Sequence, residues 1–204
     1  MLVAMARLTR AESQARTRTL LTETAQKLFL RDGYHATSLE KVADAAGFSK
    51  GAVYSNFGSK DELCLVVLDA LYAERIARIA EVFTTGTTVE DRLTAFEAYA
   101  ETMIGDAPRT QFEVEFALQA RKDSGLRQEL ARRANSVVDA LKGLIDHQAE
   151  ELGLHPVLPT ENVARALLSL GIGLGVQRFV DGEPSISVLT DTMRVLLGVG
   201  LPMR

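Results

Sequence analysis

The chain has 204 residues, 47% of them hydrophobic and 25% charged, with a single cysteine and no tryptophan. That composition excludes a disordered chain and a disulfide-stapled scaffold, and an apolar fraction rich in Ala, Leu and Val favours packed helices. The net charge of −4 hides an asymmetry: residues 1–60 hold nine Lys or Arg against five Asp or Glu, so a basic N-terminal segment precedes an acidic remainder.

The opening MLVAMARLTRAES turns polar too early for a secretory signal. The longest apolar run, 166–176, falls well short of the ~20 residues that span a bilayer. A soluble, cytoplasmic chain with no membrane partner is expected, its first ten or so residues a mobile basic arm. Beyond the arm, turn-forming clusters at Asp32-Gly33, Gly47, Gly58, 84–88, 105–108, 123–125, 153–159 and 181–184 divide the sequence. The segments between them have helical length and period, and no run keeps strand alternation. They predict an all-α fold of about nine helices, over 11–31, 38–45, 49–57, 59–83, 88–104, 108–121, 124–152, 160–181 and 185–199. The first three are short and read as one unit, so residues 1–58 form an arm and a small helical domain. Residues 59–204 form a larger helical domain.

Helix one of this reading presents Leu21, Ala25, Leu28 and Phe29 on one side. Helix two presents Leu39, Val42, Ala43 and Ala46, the stripe of a helix with one buried face. Thr37 and Ser38 precede helix two and Ser49 precedes helix three, each a residue type that caps exposed N–H groups. Tyr34 and Phe48 are expected to lock the three helices together. Between helices two and three lies Ala45-Ala46-Gly47-Phe48-Ser49, a short turn whose glycine accepts a positive φ and lets the helices cross steeply. Such a turn offers the N-terminal end of the second helix to the major groove. That end reads Lys50-Gly51-Ala52-Val53-Tyr54. Lys50 is a flexible cation suited to a phosphate or a guanine edge, Gly51 admits close backbone approach, and Tyr54 can donate its hydroxyl to a phosphate. Ser59-Lys60-Asp61 then opens helix four, where free N–H groups and Lys60 suit another phosphate.

Residues 16–63 resemble the DNA-binding domain of the tetracycline-repressor (TetR) family of bacterial regulators. The stretches that carry the resemblance include Gly33-Tyr34, Ala36-Thr37-Ser38, Val42-Ala43, Ala46-Gly47-Phe48-Ser49-Lys50-Gly51-Ala52-Val53-Tyr54, Asn56-Phe57 and Ser59-Lys60-Asp61-Glu62-Leu63. The resemblance covers about a quarter of the chain. It implies an all-helical homodimer on a palindromic, double-stranded operator, a variable C-terminal body holding a small-molecule effector, and a dimer interface built from the last two helices. By motif position it implies that Ser49, Lys50, Gly51, Tyr54, Asn56 and Lys60 lie in the DNA-contacting region, with Thr37 and Ser38 at the phosphate-facing start of helix two. Asn56 stands where many relatives carry histidine. The body matches in layout alone and names no ligand.

Several enzyme-like patterns lack their companions. Ser38-Leu39-Glu40-Lys41 fits S-x-x-K, but S-D-N and K-T-G are missing. Gly171-Ile172-Gly173-Leu174-Gly175 evokes a dinucleotide loop, but no strand precedes it and Val176 occupies the place of the third glycine. His147 and Glu151 are one turn apart but make a two-ligand set, and Cys64 reads as a small buried hydrophobe. No cofactor, metal or catalytic role is expected. The reading is a ligand-responsive repressor; an activator or a constitutive DNA binder shares the same head, and an enzyme using the helical body is the remaining alternative.

In the body, Phe83, Phe96, Tyr99, Met103, Phe112, Phe116 and Phe179 are the candidates to line an effector cavity, with Gln119, His147 or Gln148 as polar handles. Helix eight carries Ala166, Leu170, Gly173, Leu174 and Gln177 at helical spacing, with Gly171 and Gly175 beside them. Helix nine adds Val188, Val195, Leu196 and Val199. Three glycines within five helical residues cost about 1 kcal/mol each relative to alanine, and close approach of a partner helix is the simplest reason for them.

Overall fold

The computed structural model describes residues 9–182 and 184–200. Among them the fold is all-helical: α1 (Arg10–Ala36), α2 (Leu39–Ala46), α3 (Lys50–Asn56), α4 (Lys60–Val82), α5 (Val89–Met103), α6 (Ala107–Ala120), α7 (Ser124–Leu152), α8 (Thr160–Asp181) and α9 (Ser187–Leu196). The chain divides into two compact units between Ala70 and Leu71. Helix α4 therefore starts in the first and ends in the second without interruption.

The expected basic arm, up to residue 8, lies outside the described residues. Helix α1 starts at Arg10, one residue before the expected start, where Thr9 and Glu12 form a capping box. The Thr9 hydroxyl accepts from the Glu12 amide at 3.2 Å, and the Glu12 carboxylate accepts from the Thr9 amide at 2.7 Å. The expected break at Asp32-Gly33 is a kink inside α1. Gly33 takes φ 82°, ψ 171°, a conformation open essentially to glycine alone, and one further turn follows before Thr37 ends the helix. Helix α2 stops at Gly47, which sits in the left-handed region (φ 72°). The Gly47 amide donates back to the Ala43 and Asp44 carbonyls, and Phe48 N–H reaches Ala43 O at 2.9 Å.

In the first unit α1, α2 and α3 pack on one another. Leu21, Ala25 and Phe29 of α1, Val42 and Ala43 of α2, and Val53 and Phe57 around α3 are fully buried. Burying one such leucine or phenylalanine contributes about 1.5–3 kcal/mol. Leu63 and Cys64 at the start of α4 are equally buried. Burial pushes the Cys64 thiol well up from its ordinary value, so it is a packing group and not a thiolate.

In the second unit α7 packs on α8 and α6, and both α5 and α8 pack on α9. Ile79, Phe83, Leu93, Phe96, Val163, Leu174, Ile186 and Leu189 belong to one apolar core there. Two nearly buried arginines tie helices across it. Arg92 of α5 pairs with Glu151 of α7 at 2.7 Å and donates to Gln148, while Arg194 of α9 pairs with Glu90 of α5 at 2.9 Å. Hydrogen bonds from these guanidinium groups hold the Glu151 and Glu90 carboxyls below the usual carboxylate range. Helix α9 ends at Leu196, three residues before the expected end. Gly198 has φ 75°, and a Cβ there would lie 2.4 Å from the His155 carbonyl oxygen, so the chain must turn where the 154–158 loop crosses it.

Candidate nucleic-acid interface

Helix α3 is seven residues long and buries one side chain, Val53. Its remaining side chains point outward or sideways, which is the arrangement of a helix that the fold presents rather than packs. Ser49 caps it: the hydroxyl accepts from the Ala52 amide at 3.2 Å. Ser49, Lys50 and Gly51 are exposed, and Gly51 has no neighbour closer to a would-be Cβ than Ser49 Oγ at 3.8 Å. Tyr54, one turn on, is 51% exposed, and its hydroxyl donates to Glu40 Oε1 at 3.1 Å. A cation, a glycine and a phenol thus share the open end of one helix, which is the chemistry that grips a phosphate and reads a base edge.

The flanking positions divide. Ser38 caps α2, accepting from the Lys41 amide at 3.2 Å, and its half-exposed hydroxyl remains at the open start of that helix. Thr37 departs from the expectation. It is 1% exposed, its hydroxyl donates to Gly33 O at 2.9 Å, and its amide bonds Tyr34 O, so it closes α1 from inside. Lys60 lies 3.9 Å from the centroid of the Tyr34 ring, a cation–π seat on the first turn of α4. Tyr34 is itself anchored there by donating to the Asp61 carboxylate. Asn56 is partly buried and turns its amide onto Ala52 O at 2.8 Å, so it terminates α3.

Arg18, which the sequence reading did not single out, holds the far end of α3. Its guanidinium donates to the Asn56 carbonyl, lies 4.2 Å from the Phe57 ring centroid, and is 3.7 Å from Glu62. It satisfies a carbonyl left open at a helix C-terminus and places a cation at the negative end of the helix dipole. A lone Arg on an amphipathic helix carries no signal of this role; the separation of 38 positions from Asn56 hides it.

The candidate effector residues fall into three environments. Phe83, Phe96, Phe112 and Phe116 are buried, with the Phe83 and Phe96 rings 5.3 Å apart in the core. Tyr99 and Met103 border that core half-buried, and Gln119 is half-buried on α6. Gln148 is buried but already accepts from Arg92, and His147 lies exposed 3.8 Å from Glu151. Phe179 is elsewhere: it is 42% exposed on α8, two turns from the equally outward Ile172.

The candidate pairing residues also separate. Ala166, Gln177, Val188 and Val195 are exposed, and Leu170, Gly173 and Leu196 are half-exposed. Leu174 is the correction among them, because it is 4% exposed within its own chain's core, a quarter-turn from Gly173 on the inner face of α8. The glycines split the same way. A Cβ on Gly171 or Gly173 meets nothing within 4 Å, whereas Gly175 is buried against Gly105 and Ile104. Ile172, Val176 and Val180 extend the outward apolar face of α8.

A family model described as "Bacterial regulatory proteins, tetR family" matches residues 21–67. The HTH-type transcriptional activator FasR of Mycolicibacterium smegmatis is 28% identical over 151 residues, covering 71% of this chain and 69% of that one. The uncharacterized HTH-type transcriptional regulator YuxN of Bacillus subtilis is 42% identical over 67 residues, 33% of this chain, and the match spans 23% of YuxN. Among solved structures, the reduced form of E. coli NemR superposes with a TM-score of 0.67 at 21% identity, over 90% of this chain and 96% of that one.

Proposed function

The chain belongs, by its N-terminal unit, to the tetR family of bacterial regulatory proteins, and on that premise we propose that it is a dimeric, ligand-responsive repressor of transcription. The dimer holds a palindromic operator through Ser38, Ser49, Lys50, Gly51, Tyr54 and Lys60. The observation that carries the reading is the outward end of α3, where Ser49, Lys50, Gly51 and Tyr54 stand together beyond the Gly47 turn. The half-buried Tyr99 and Met103, which border the core that holds Phe83 and Phe96, and the half-buried Gln119 of α6 support a small apolar effector entering the second unit. An effector that prefers one arrangement of the dimer shifts the population away from the operator-competent state, and α4 is the continuous segment joining the two units.

The outward face of α8 supports a second copy as its partner. Helix α8 is long and apolar enough to be weighed as a membrane span. Its inner residues Val163, Ala164 and Leu174 are nevertheless packed in the second unit, and its Arg178 pairs with Glu101 at 2.8 Å. That leaves Ala166, Gly173, Val176, Gln177 and Val180 with the exposed Val188 and Val195 of α9 as one face for a two-fold pairing. FasR carries the name of an activator, and the activator reading shares every contact above. Selection of genomic fragments bound by the full chain, followed by addition of candidate small molecules, decides between them. A repressor releases the selected fragment on ligand binding, an activator holds it more tightly, and a chain that selects no fragment overturns both.

A further inference from the structure

The hydroxyl that the DNA-binding reading assigns to a phosphate is already engaged. Tyr54 donates to Glu40 Oε1 at 3.1 Å, across the gap between α3 and the first turn of α2. A phenol has one hydrogen to donate, so the same hydroxyl cannot serve Glu40 and a phosphate together. Glu40 is not a stray surface carboxylate. Its own backbone amide, the Ser38 hydroxyl and the Tyr54 hydroxyl all hold it below the ordinary carboxylate range, and the charge of Lys50 adds to them. Of these, Ser38, Tyr54 and Lys50 are groups expected to meet the nucleic-acid backbone. Tyr54 responds in the opposite sense: the bond to Glu40 and its negative charge raise the phenol.

Resting on that reading of the head, we infer that Glu40 is a built-in competitor for the DNA backbone, a carboxylate that occupies the phosphate-directed hydroxyl of Tyr54 and the field of Lys50 until a phosphate displaces it. Docking breaks the Tyr54–Glu40 bond and brings a second negative charge beside the first. Glu40 therefore weakens association with any duplex, and a bound operator has to regain that loss through base contacts. Its effect is on the affinity floor for random DNA, which sets how long the dimer is sequestered away from its operator.

The test uses the full chain and a fluorescein-labelled random-sequence duplex of about three helical turns, read by anisotropy at low salt. Glu40→Gln keeps the size of the side chain and removes the charge. It should tighten binding roughly three- to tenfold, the size expected of one phosphate-side charge. In a Tyr54→Phe background the same substitution should gain clearly less, because the engaged donor is already gone. Independently of DNA, the Tyr54 ring carbon titration by NMR should move toward the ordinary tyrosine value in Glu40→Gln. Unchanged or weaker random-duplex binding by Glu40→Gln, an equal gain with and without the Tyr54 hydroxyl, or an unmoved Tyr54 titration each overturns the inference while leaving the DNA-binding reading intact. A loss confined to one selected sequence makes Glu40 a base reader and overturns it too. Absence of duplex binding by wild type and every variant overturns the DNA-binding reading itself, and the inference with it.

Discussion

Arg18 combines three contacts that lysine could not reproduce: a hydrogen bond to the Asn56 carbonyl, a guanidinium over the Phe57 ring, and proximity to Glu62. Because Asn56 closes α3, the orientation of that helix depends on a residue of α1. Arg18→Lys should lower stability by about 1–2 kcal/mol, measured by chemical denaturation, and should also weaken DNA binding although Arg18 touches no DNA in this account. Unchanged stability and affinity would show that Val53 and Phe57 alone fix the helix. At this scale the sequence is legible where a residue acts on its near neighbours. Ser49 as a cap and the outward Lys50 and Tyr54 follow from position within one short helix. Thr37 shows the limit, since the residue type suits a cap or a phosphate equally and only the Gly33 kink turns it inward. Phe179 and Gln148 show another, because an aromatic or amide side chain has the same identity in a core, on an outer face or beside a ligand.

Helix boundaries are legible for the same local reason: caps, glycines and prolines act within a few residues. The two largest departures of the observed helices from expectation are the further turn of α1 beyond the Gly33 kink, to Ala36, and the early end of α9. The second rests on the 154–158 loop lying against Gly198, a tertiary contact that no local pattern contains. Glycine substitutions separate these two kinds of turn. At Gly47 a Cβ meets nothing within 4 Å, so Gly47→Ala is opposed by the positive φ alone and should cost about 1 kcal/mol. At Gly198 the same φ is joined by the His155 carbonyl at 2.4 Å, so Gly198→Ala should cost distinctly more and release the loop. Paired urea titrations give the comparison, and equal losses at the two positions would mean that the loop moves aside freely.

For the whole molecule, the face built from Ala166, Gly173, Val176, Gln177, Val188 and Val195 is proposed to pair with a second copy, which would set the distance between two reading heads at about one helical turn of DNA. A symmetric interface receives each substitution twice. Gly173 has open space within its own chain, so Gly173→Arg should leave the fold intact while light scattering reports a monomer and operator binding is lost. A folded mutant that still pairs and binds would put the interface elsewhere. The central claim is that α3 grips DNA through a small basic surface on a chain whose net charge is −4. The most direct measurement is the affinity of the full chain for duplex DNA as a function of salt, for wild type and for a Lys50→Ala, Tyr54→Phe double variant. Log affinity should fall linearly with log salt, with a slope of about −0.9 for each phosphate neutralised. The double variant should bind at least tenfold more weakly, with a slope shallower by about one. Salt-independent binding, or a double variant that binds with wild-type affinity and slope, would contradict it.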